Sequence, residues 1–328
     1  MFTICIPAYN AERHLEECLL SLREQTNDNY EAIIVNDGSS DRTLDICSKF
    51  EQDDPRFRII TTENHGPLLA RRAAILAAKG EYLLFLDADD QLRPTAISDC
   101  ARALNETPAD ILFFQYSTHQ DYSSSIPGAP PSISQATEPS KAEVRKAVLR
   151  GETNQLCFKS IKKCLIDSHL DYAVFTGFKH GEDLFQLLPL VDQAKSFLAV
   201  NACLYFYRRS DESGTFHFSY KQFEDVCTLG DRLLHYGNKW GMSADAEFGL
   251  AAQYCYLIKI LINDESFSSE EKRHAYDEIC ECVSSLYNSK MLSTASIPWR
   301  AFIAAASKHC FKISKLMIAI ENRIRSRR

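Results

Sequence analysis

Three carboxylates follow an apolar run in the first third of the chain. The run at residues 82–86 leads directly into Asp87, Ala88, Asp89 and Asp90. A run of this kind is typical of a buried parallel strand, and the acids then lie at its carboxyl end, where open α/β sheets bind ligands. Because neighbouring carboxylates repel one another, they favour a hard divalent cation such as Mg²⁺ or Mn²⁺. By itself, the motif is equally compatible with a solvated acidic turn.

Polar residues also follow two apolar runs nearer the N-terminus. The runs at residues 3–7 and 32–35 lead to Asn10 and Asp37, respectively. Amphipathic helical patterns, such as the one at residues 66–78, alternate with the apolar runs. Four alternations of strand and helix within about 90 residues predict a parallel sheet with right-handed crossovers. The polar residues after the strands should therefore converge on one edge of the sheet.

The order and spacing of these motifs resemble the family 2 glycosyltransferases, which have the GT-A fold. The resemblance covers roughly residues 1–215. It implies an α/β fold with a Rossmann-like, mostly parallel sheet flanked by helices. The segments that carry it are Ile6-Pro7-Ala8-Tyr9-Asn10, Val35-Asn36-Asp37-Gly38-Ser39-Ser40-Asp41, Asn64-His65-Gly66 with Ala70-Arg71, Lys79-Gly80-Glu81-Tyr82, Phe85-Leu86-Asp87-Ala88-Asp89-Asp90, Gly181-Glu182-Asp183, and Leu204-Tyr205-Phe206-Tyr207-Arg208-Arg209 with Ser213.

The resemblance implies a nucleoside diphosphate sugar as the donor, and UDP is the usual nucleotide of the family. Asp37 would bind the base, and a Mg²⁺ or Mn²⁺ ion at Asp89 and Asp87 would neutralise charge on the leaving diphosphate. Arg208 would pair with the diphosphate, since its planar fork matches phosphate oxygens. The implied donor-binding residues are Pro7, Ala8, Tyr9, Asp37, Arg71, Asp87, Ala88, Asp89, Arg208 and Ser213, and the implied metal ligands are Asp89 and Asp87.

The pair Glu182-Asp183 precedes an apolar helical run and contains the candidate catalytic base. The resemblance implies an inverting transfer, in which Asp183 removes the proton of the acceptor hydroxyl as its oxygen attacks. The N-terminus of a helix favours an ionised carboxylate at this position. The residue types alone also fit two ordinary acids in the first turn of a helix.

The chain departs from the family pattern at two places. Arg72 and Ala74 stand where the family usually has Asn and Gly after the motif arginine. Lys159 resembles a family lysine near the acceptor site, but Cys157 and Phe158 replace the Trp-Asn that usually precedes it. Loss of the glycine at position 74 is compatible with a regular helix.

Composition favours a cytoplasmic enzyme. The 328-residue chain has a net charge of −7, which argues against general nucleic-acid binding. Its twelve cysteines are scattered through apolar segments, as expected of reduced, packed thiols. We expect no signal peptide, because the chain enters a strand at once, and no spanning helix, because no apolar run is long enough.

Two breaks divide the chain. Residues 117–140 are rich in Ser and Pro and predict a long loop near the acceptor side. After about residue 220 the pattern becomes wholly helical, which predicts an all-helical C-terminal region. The expected domains are a GT-A domain at 1–218, with a nucleotide-sugar-binding half at 1–116 and an acceptor and catalytic half at 141–218, and a helical region at 219–328.

The C-terminal segment 300–328 differs from the rest of the chain in charge. Its eight basic residues and single acid give it a net charge of +7, which leaves −14 on residues 1–299. Apolar residues are interleaved with the basic ones. A basic amphipathic helix can lie on an anionic membrane, so peripheral contact with the inner face of the membrane is one expectation. The alternative is a helix that docks on the protein core with a solvated tail.

The expected function is an inverting glycosyltransferase of cell-surface polysaccharide synthesis. It would move one sugar from a nucleoside diphosphate sugar to a hydroxyl of a glycan or of a polyprenyl-linked glycan. A sugar nucleotidyltransferase is a second hypothesis, but it normally needs a Gly-rich basic loop near the N-terminus, which this sequence lacks. A catalytically silent nucleotide-sugar or glycan-binding protein is a third, against which Asp89 and Asp183 argue.

Overall fold

The computed structural model describes residues 1–167, 172, 175–178, 180–209, 217–293 and 295–325. The chain divides into two compact units. The first contains residues 1–147 and 152–209, and the second contains residues 148–151 and 210–328. The domains expected from the sequence, 1–218 and 219–328, place the boundary a few residues later in the chain.

Within the described residues, the first unit contains one mixed sheet of nine strands. The strands are β1 (Phe2–Ala8), β2 (Tyr30–Asp37), β3 (Phe57–Thr62), β4 (Tyr82–Phe85), β5 (Gln91–Leu92), β6 (Ile111–Ser117), β7 (Ile126–Pro127), β8 (Lys159–Lys162) and β9 (Phe197–Phe206). Their order is β3-β2-β1-β4-β8-β6-β9-β5, and β7 pairs with β6 outside this path. The first four strands are parallel, as predicted, whereas β8 pairs antiparallel with both β4 and β6.

The register of the parallel strands brings the predicted motifs together. Ala8 at the end of β1 lies opposite Asn36 of β2, and Cys5 lies opposite Phe85 of β4. Side chains of β1, β2 and β4 are almost wholly buried, because helices cover both faces of this part of the sheet. The loops that follow these three strands therefore leave the same edge of the sheet.

Seven helices accompany the sheet in the described part of the chain before residue 194. They are α1 (Leu15–Arg23), α2 (Thr43–Asp53), α3 (Pro67–Ala77), α4 (Ala96–Glu106), α5 (Pro131–Ser134), α6 (Lys141–Leu149) and α7 (Glu182–Gln193). Gly66 precedes α3 with φ +92° and Gly181 precedes α7 with φ +84°, conformations that glycine adopts without strain. Pro67 occupies the first turn of α3, where its missing N–H removes no helical hydrogen bond.

The segment 117–140, expected to be a long loop, contains a strand and a helix. Residues of β7 pair with β6, and α5 begins with Pro131 in its first turn. Ala129 and Ile133 are buried, so this segment contributes apolar contacts of its own. The prediction of a loop was wrong because it rested on the Ser and Pro content and did not take these two apolar residues into account.

The second unit is helical, which confirms the predicted helical C-terminal region. Its helices are α8 (Tyr220–Lys239), α9 (Ser243–Asn263), α10 (Ser269–Leu286), α11 (Ser289–Ser293), α12 (Ile297–Ser307) and α13 (Phe311–Arg325). Helix α9 contacts α8, α10, α11 and α12, so its apolar residues form the centre of the unit. No helix among the described residues is long and apolar enough to cross a bilayer. The cysteines of the chain are free thiols, and most of them are buried.

Candidate active site

The loop after β1 is fixed to the loop after β2. Pro7 and Ala8 end β1, and the Oδ1 atom of Asn10 accepts the N–H of Ser40 at 2.9 Å. Asn10 has a left-handed φ of +46°, which asparagine tolerates better than most residues. Tyr9 projects from this braced loop with 54% of its surface exposed. Its ring is therefore available to a ligand at the edge of the sheet.

Asp37 at the end of β2 ties that strand to the start of α3. Its Oδ2 atom accepts the N–H of Gly66 at 2.8 Å, and its Oδ1 atom accepts the N–H of His65 at 3.0 Å and the hydroxyl of Thr62 at 3.2 Å. The residue is only 3% exposed. Since a carboxylate oxygen has two lone pairs, Oδ2 retains one acceptor position. Contact with a nucleotide base would therefore use Oδ2.

Arg71 of α3 lies at the centre of the candidate site, with 5% of its surface exposed. Its Nη1 atom is 2.9 Å from Asp183 Oδ1 and 3.1 Å from Glu182 Oε1. Its Nη2 atom donates to Asp87 Oδ1 at 2.8 Å. A single guanidinium therefore joins an acid of the motif after β4 to the predicted base on α7.

Burial and neighbouring charges set the ionisation of the two acids on α7. Burial raises the pKa of Asp183, an effect that Arg71 opposes and Asp87 reinforces. Asp183 Oδ2 also accepts the N–H of Leu156 at 3.1 Å, which favours the ionised form. Burial and the charge of Asp183 raise the pKa of Glu182 to about 7. The pKa of Asp183, the candidate base, is therefore raised in the direction that suits a general base at neutral pH.

Lys159 of β8 is fully buried beside these acids. Its ammonium donates to the carbonyl oxygen of Gln155 and lies 5.4 Å from the centroid of the Phe113 ring. Burial lowers the pKa of Lys159 to about 8, while Cys157 and Asp183 oppose the shift. The positive charge of the lysine in turn favours the ionised form of Asp183.

Asp90 connects the acidic motif to the end of β9. Its Oδ2 atom accepts the Tyr205 hydroxyl at 2.6 Å, and its Oδ1 atom accepts the N–H of Arg208 at 2.7 Å. The Tyr205 hydroxyl also accepts the N–H of Asp87 at 3.2 Å. Burial raises the pKa of Asp90 to about 8, with Asp87 and Asp89 adding to the rise. Because both Asp90 oxygens have partners, the motif leaves Asp87 and Asp89 for ligands.

Arg208 is held over the acidic motif by its own backbone and side chain. Its Nε atom donates to the carbonyl oxygen of Asp89 at 2.8 Å, and its Nη2 atom is 2.6 Å from Glu17 Oε2. The Nη1 atom makes no hydrogen bond to any residue that the structure describes. One edge of the guanidinium is therefore open to an anion. Its expected partner Ser213 lies outside the described residues.

Asp87 and Asp89 have free oxygen atoms of the kind that a hard cation binds. Oδ1 of Asp87 accepts from Arg71, and the Asp89 carboxylate accepts from its own backbone N–H but from no other residue that the structure describes. Burial and the charge of Asp87 raise the pKa of Asp89, a repulsion that a cation would relieve. Across the described ranges, no three His, Cys, Asp or Glu side chains converge into a metal-binding group. The pair therefore fits Mg²⁺ or Mn²⁺ where water or substrate phosphates complete the coordination.

The structure brings together residues that the sequence predicted from separate motifs. Arg71, Asp87 and Asp183 are in direct contact, and Arg208 touches the backbone of Asp89. The sequence pattern did not single out α1, where Glu17 binds Arg208, nor His14 before it, whose pKa is lowered by burial and then by Arg208. The residues with site contacts that the sequence did not assign are Glu17, Asp90, Leu156 and Tyr205.

Comparison with known proteins identifies the family. A family model described as Glycosyl transferase family 2 matches residues 3–165. The putative glycosyltransferase EpsH of Bacillus subtilis (strain 168) is 30% identical over 229 residues, which cover 69% of this chain and 66% of EpsH. The poly(ribitol-phosphate) beta-N-acetylglucosaminyltransferase TarS of Staphylococcus aureus (strain Mu50) is 32% identical over 117 residues, 35% of this chain and 20% of TarS. This chain thus spans less than two thirds of the length of either relative.

A solved structure confirms the fold. The crystal structure of S. aureus TarS 1-349 in complex with UDP-GlcNAc matches this chain with a TM-score of 0.66 and 17% sequence identity. The match covers 98% of this chain and 91% of that chain. The predicted GT-A fold with a helical C-terminal region is therefore confirmed. Together, the family model and the likeness to EpsH show that this chain belongs to glycosyl transferase family 2.

Proposed function

We propose that this protein is an inverting glycosyltransferase of the cytoplasm that transfers one sugar from a UDP-sugar to a hydroxyl of a cell-surface glycan. The observation that carries the proposal is the guanidinium of Arg71, which is 2.8 Å from Asp87 and 2.9 Å from Asp183. The acid on the donor side, Asp87, and the candidate base, Asp183, are therefore held within one site. A silent binding protein has no need for a buried base beside its ligand acids.

The donor diphosphate would lie against the acidic motif. Asp89 and Asp87 would hold Mg²⁺ or Mn²⁺, which supplies positive charge to the leaving diphosphate when it is bound. The open edge of Arg208 would pair with a phosphate oxygen, because a guanidinium forms two parallel hydrogen bonds with such groups. Ala88, which is buried between the two acids, leaves room for the donor at the strand end.

The nucleotide would occupy the loops after β1 and β2. The exposed ring of Tyr9 can stack on a base, and Asp37 Oδ2 can accept a base N–H. UDP is proposed because TarS is named a beta-N-acetylglucosaminyltransferase and its structure was solved with UDP-GlcNAc. Pro7 and Ala8 bring these loops to the edge of the sheet.

The acceptor would approach from the side of Asp183. As the acceptor oxygen attacks the anomeric carbon, its proton passes to the Asp183 carboxylate, and the bond from that carbon to the diphosphate oxygen breaks. Tyr207 is 39% exposed beside the site and rests edge-on against Tyr116 and Phe158. A braced aromatic ring of this kind suits the apolar face of a sugar. The acceptor is therefore proposed to be a glycan, free or polyprenyl-linked.

A donor screen followed by a transfer assay tests the function. The full chain is melted with a panel of nucleotide sugars, each with Mn²⁺, with Mg²⁺ and with chelator. A UDP-sugar should raise the melting temperature, because a ligand that binds only the folded state stabilises it. Transfer to a glycan acceptor should follow with that donor. A donor that binds and is neither transferred nor hydrolysed would favour a silent binding protein instead.

We expect Asp89→Ala to abolish metal-dependent donor binding. Asp87 alone would remain, and one carboxylate already paired with Arg71 is a poor ligand set for a hard cation beside two phosphates. Calorimetry with UDP and Mn²⁺ measures the effect, and binding with chelator present gives the metal-independent part. Asp99→Ala, which removes an acid that pairs with exposed Arg102, is the matched control and should bind like the parent. Unchanged metal-dependent affinity in Asp89→Ala would remove Asp89 from the site.

The rate of transfer should rise with pH as Asp183 ionises, at a pH above the ordinary range of an aspartate. The base must be ionised, and the pKa values of the coupled pair Asp183 and Glu182 are raised, so activity is lost as pH falls through the titration of the pair. Glu182→Gln removes a negative charge next to Asp183, so the rising part of the pH–rate profile should move to lower pH. The measurement is kcat/KM from about pH 5.5 to 8.5, where the free-enzyme base titrates. A flat profile, or a limb that Glu182→Gln leaves in place, would contradict the assignment.

A further inference from the structure

Helix α13 has one face docked within the helical unit. Ser314 and Ile318 on that face are buried, and the Ser314 hydroxyl is 2.9 Å from the Tyr276 hydroxyl of α10. The Phe311 ring packs edge-on against Tyr276, with 5.0 Å between the centroids. Glu321, the single acid of the segment 300–328, pairs with Lys259 at 2.7 Å. The docked alternative therefore holds for this face of the helix.

A second face of α13 carries large apolar side chains that remain in water. Ile313, Leu316 and Ile320 are 51%, 61% and 50% exposed, respectively. Their spacing of three and four residues places them in one row along the helix. Three apolar side chains in a continuous row differ from scattered exposed residues, because a row is the usual mark of an interaction surface.

Basic residues run along one side of this row. Lys312 and Lys315 are exposed on α13, Lys308 is exposed just before the helix, and within the described residues none of them pairs with an acid. The sequence adds four arginines near the C-terminus, and the segment 300–328 carries +7 while residues 1–299 carry −14. The positive charge is thus concentrated on the element that exposes the apolar row. We call Ile313, Leu316 and Ile320, with Lys312 and Lys315, the α13 face.

We propose that the α13 face lies on the surface of an anionic lipid bilayer. The apolar row would enter the boundary between headgroups and acyl chains, and the lysines would contact anionic headgroups. Charge complementarity favours an anionic bilayer over a neutral apolar partner, because only the bilayer offers negative groups that attract the basic residues. The inference does not depend on the proposed transfer reaction, since it rests on this helix alone.

Vesicle sedimentation of the full chain tests the proposal. Binding is expected to vesicles that contain phosphatidylglycerol, with little binding to phosphatidylcholine alone, and it should weaken steeply as salt is raised. Lys312→Gln with Lys315→Gln should lower the partition coefficient about 25-fold, from about fivefold for each basic residue near the surface. Changing Ile313, Leu316 and Ile320 to Ser should abolish binding at all salt concentrations.

The controls separate membrane contact from folding and self-association. Leu44→Ser with Leu76→Ser removes two other exposed apolar side chains and should bind vesicles like the parent. Circular dichroism and melting on the same samples should show that every variant is folded, because only exposed side chains change. The proposal is overturned if the folded parent ignores anionic vesicles at low salt, or if the triple Ser variant binds like the parent. It is also overturned if analytical ultracentrifugation shows the parent as a dimer and the triple Ser variant as a monomer. That result would mean that the α13 face binds a second copy of the chain.

Discussion

Asp183→Asn should lower the rate of sugar transfer by roughly 10²–10⁴-fold, the usual contribution of a positioned general base. Asparagine keeps the shape of the side chain but cannot take the proton of the acceptor hydroxyl. Donor affinity should hardly change, because Asp183 lies on α7 and the proposed donor contacts are on other elements. The measurements are kcat with saturating acceptor and calorimetric binding of the donor with Mn²⁺.

Glu182→Gln is the control that distinguishes the two acids of the pair. Glu182 has the same Arg71 contact, at 3.1 Å, but lacks the hydrogen bond that fixes Asp183 to Leu156. Glu182→Gln should still transfer sugar at high pH, and the rising part of its pH–rate profile should lie at lower pH than that of the parent. Melting curves check folding, because Leu156 and Arg71 contact different oxygens of Asp183, and asparagine has an NH2 group, which cannot accept a hydrogen bond, at one of the two positions. If Asp183→Asn transfers at the parental rate while Glu182→Gln does not, Glu182 is the base.

The edge of the sheet that carries the acids was predictable because it follows from local pattern. The apolar run at 82–86 ends in Asp87 and Asp89, and parallel strands bring their carboxyl ends to one edge. The same rule placed Tyr9 and Asp37 at the carboxyl ends of the neighbouring strands. These predictions needed only the alternation of strands and helices, which makes the sheet parallel, and not the details of how the helices pack on it.

The partners of these residues were not predictable, because they join segments that are distant in sequence. Arg71 and Glu182 are separated by 111 positions, and their contact depends on how α3 and α7 pack on the sheet. Asp37 has residues of the loop before α3 as hydrogen-bond partners, a network that no local motif reveals. From the sequence, α13 could either dock on the protein or lie on a membrane, and the structure shows that a docked face and an exposed face coexist on one helix.

Arg71→Met should destabilise the folded protein by roughly 3–5 kcal/mol at neutral pH, the usual cost of removing one partner from a buried ion cluster. Asp87, Glu182 and Asp183 would then face one another without the guanidinium that lies between them. Transfer should fall as well, because Arg71 positions the donor-side acid and the base together. Urea denaturation and kcat/KM measure the two effects separately.

The dependence on pH separates loss of charge pairing from loss of packing in Arg71→Met. Without the arginine the pKa values of Glu182 and Asp183 rise further in the folded state, so the folded state binds more protons than the unfolded state near neutral pH. The stability of the variant relative to the parent should therefore fall as pH rises from about 5 to 8. Adding Glu182→Gln removes one of the repelling charges and should restore part of the stability, and the double-mutant cycle gives the coupling. The loss of stability in Arg71→Met could instead be equal at about pH 5 and about pH 8 and unaffected by Glu182→Gln. That result would mean that Arg71 acts by packing alone, and it would contradict the proposed electrostatic link between the donor site and the base.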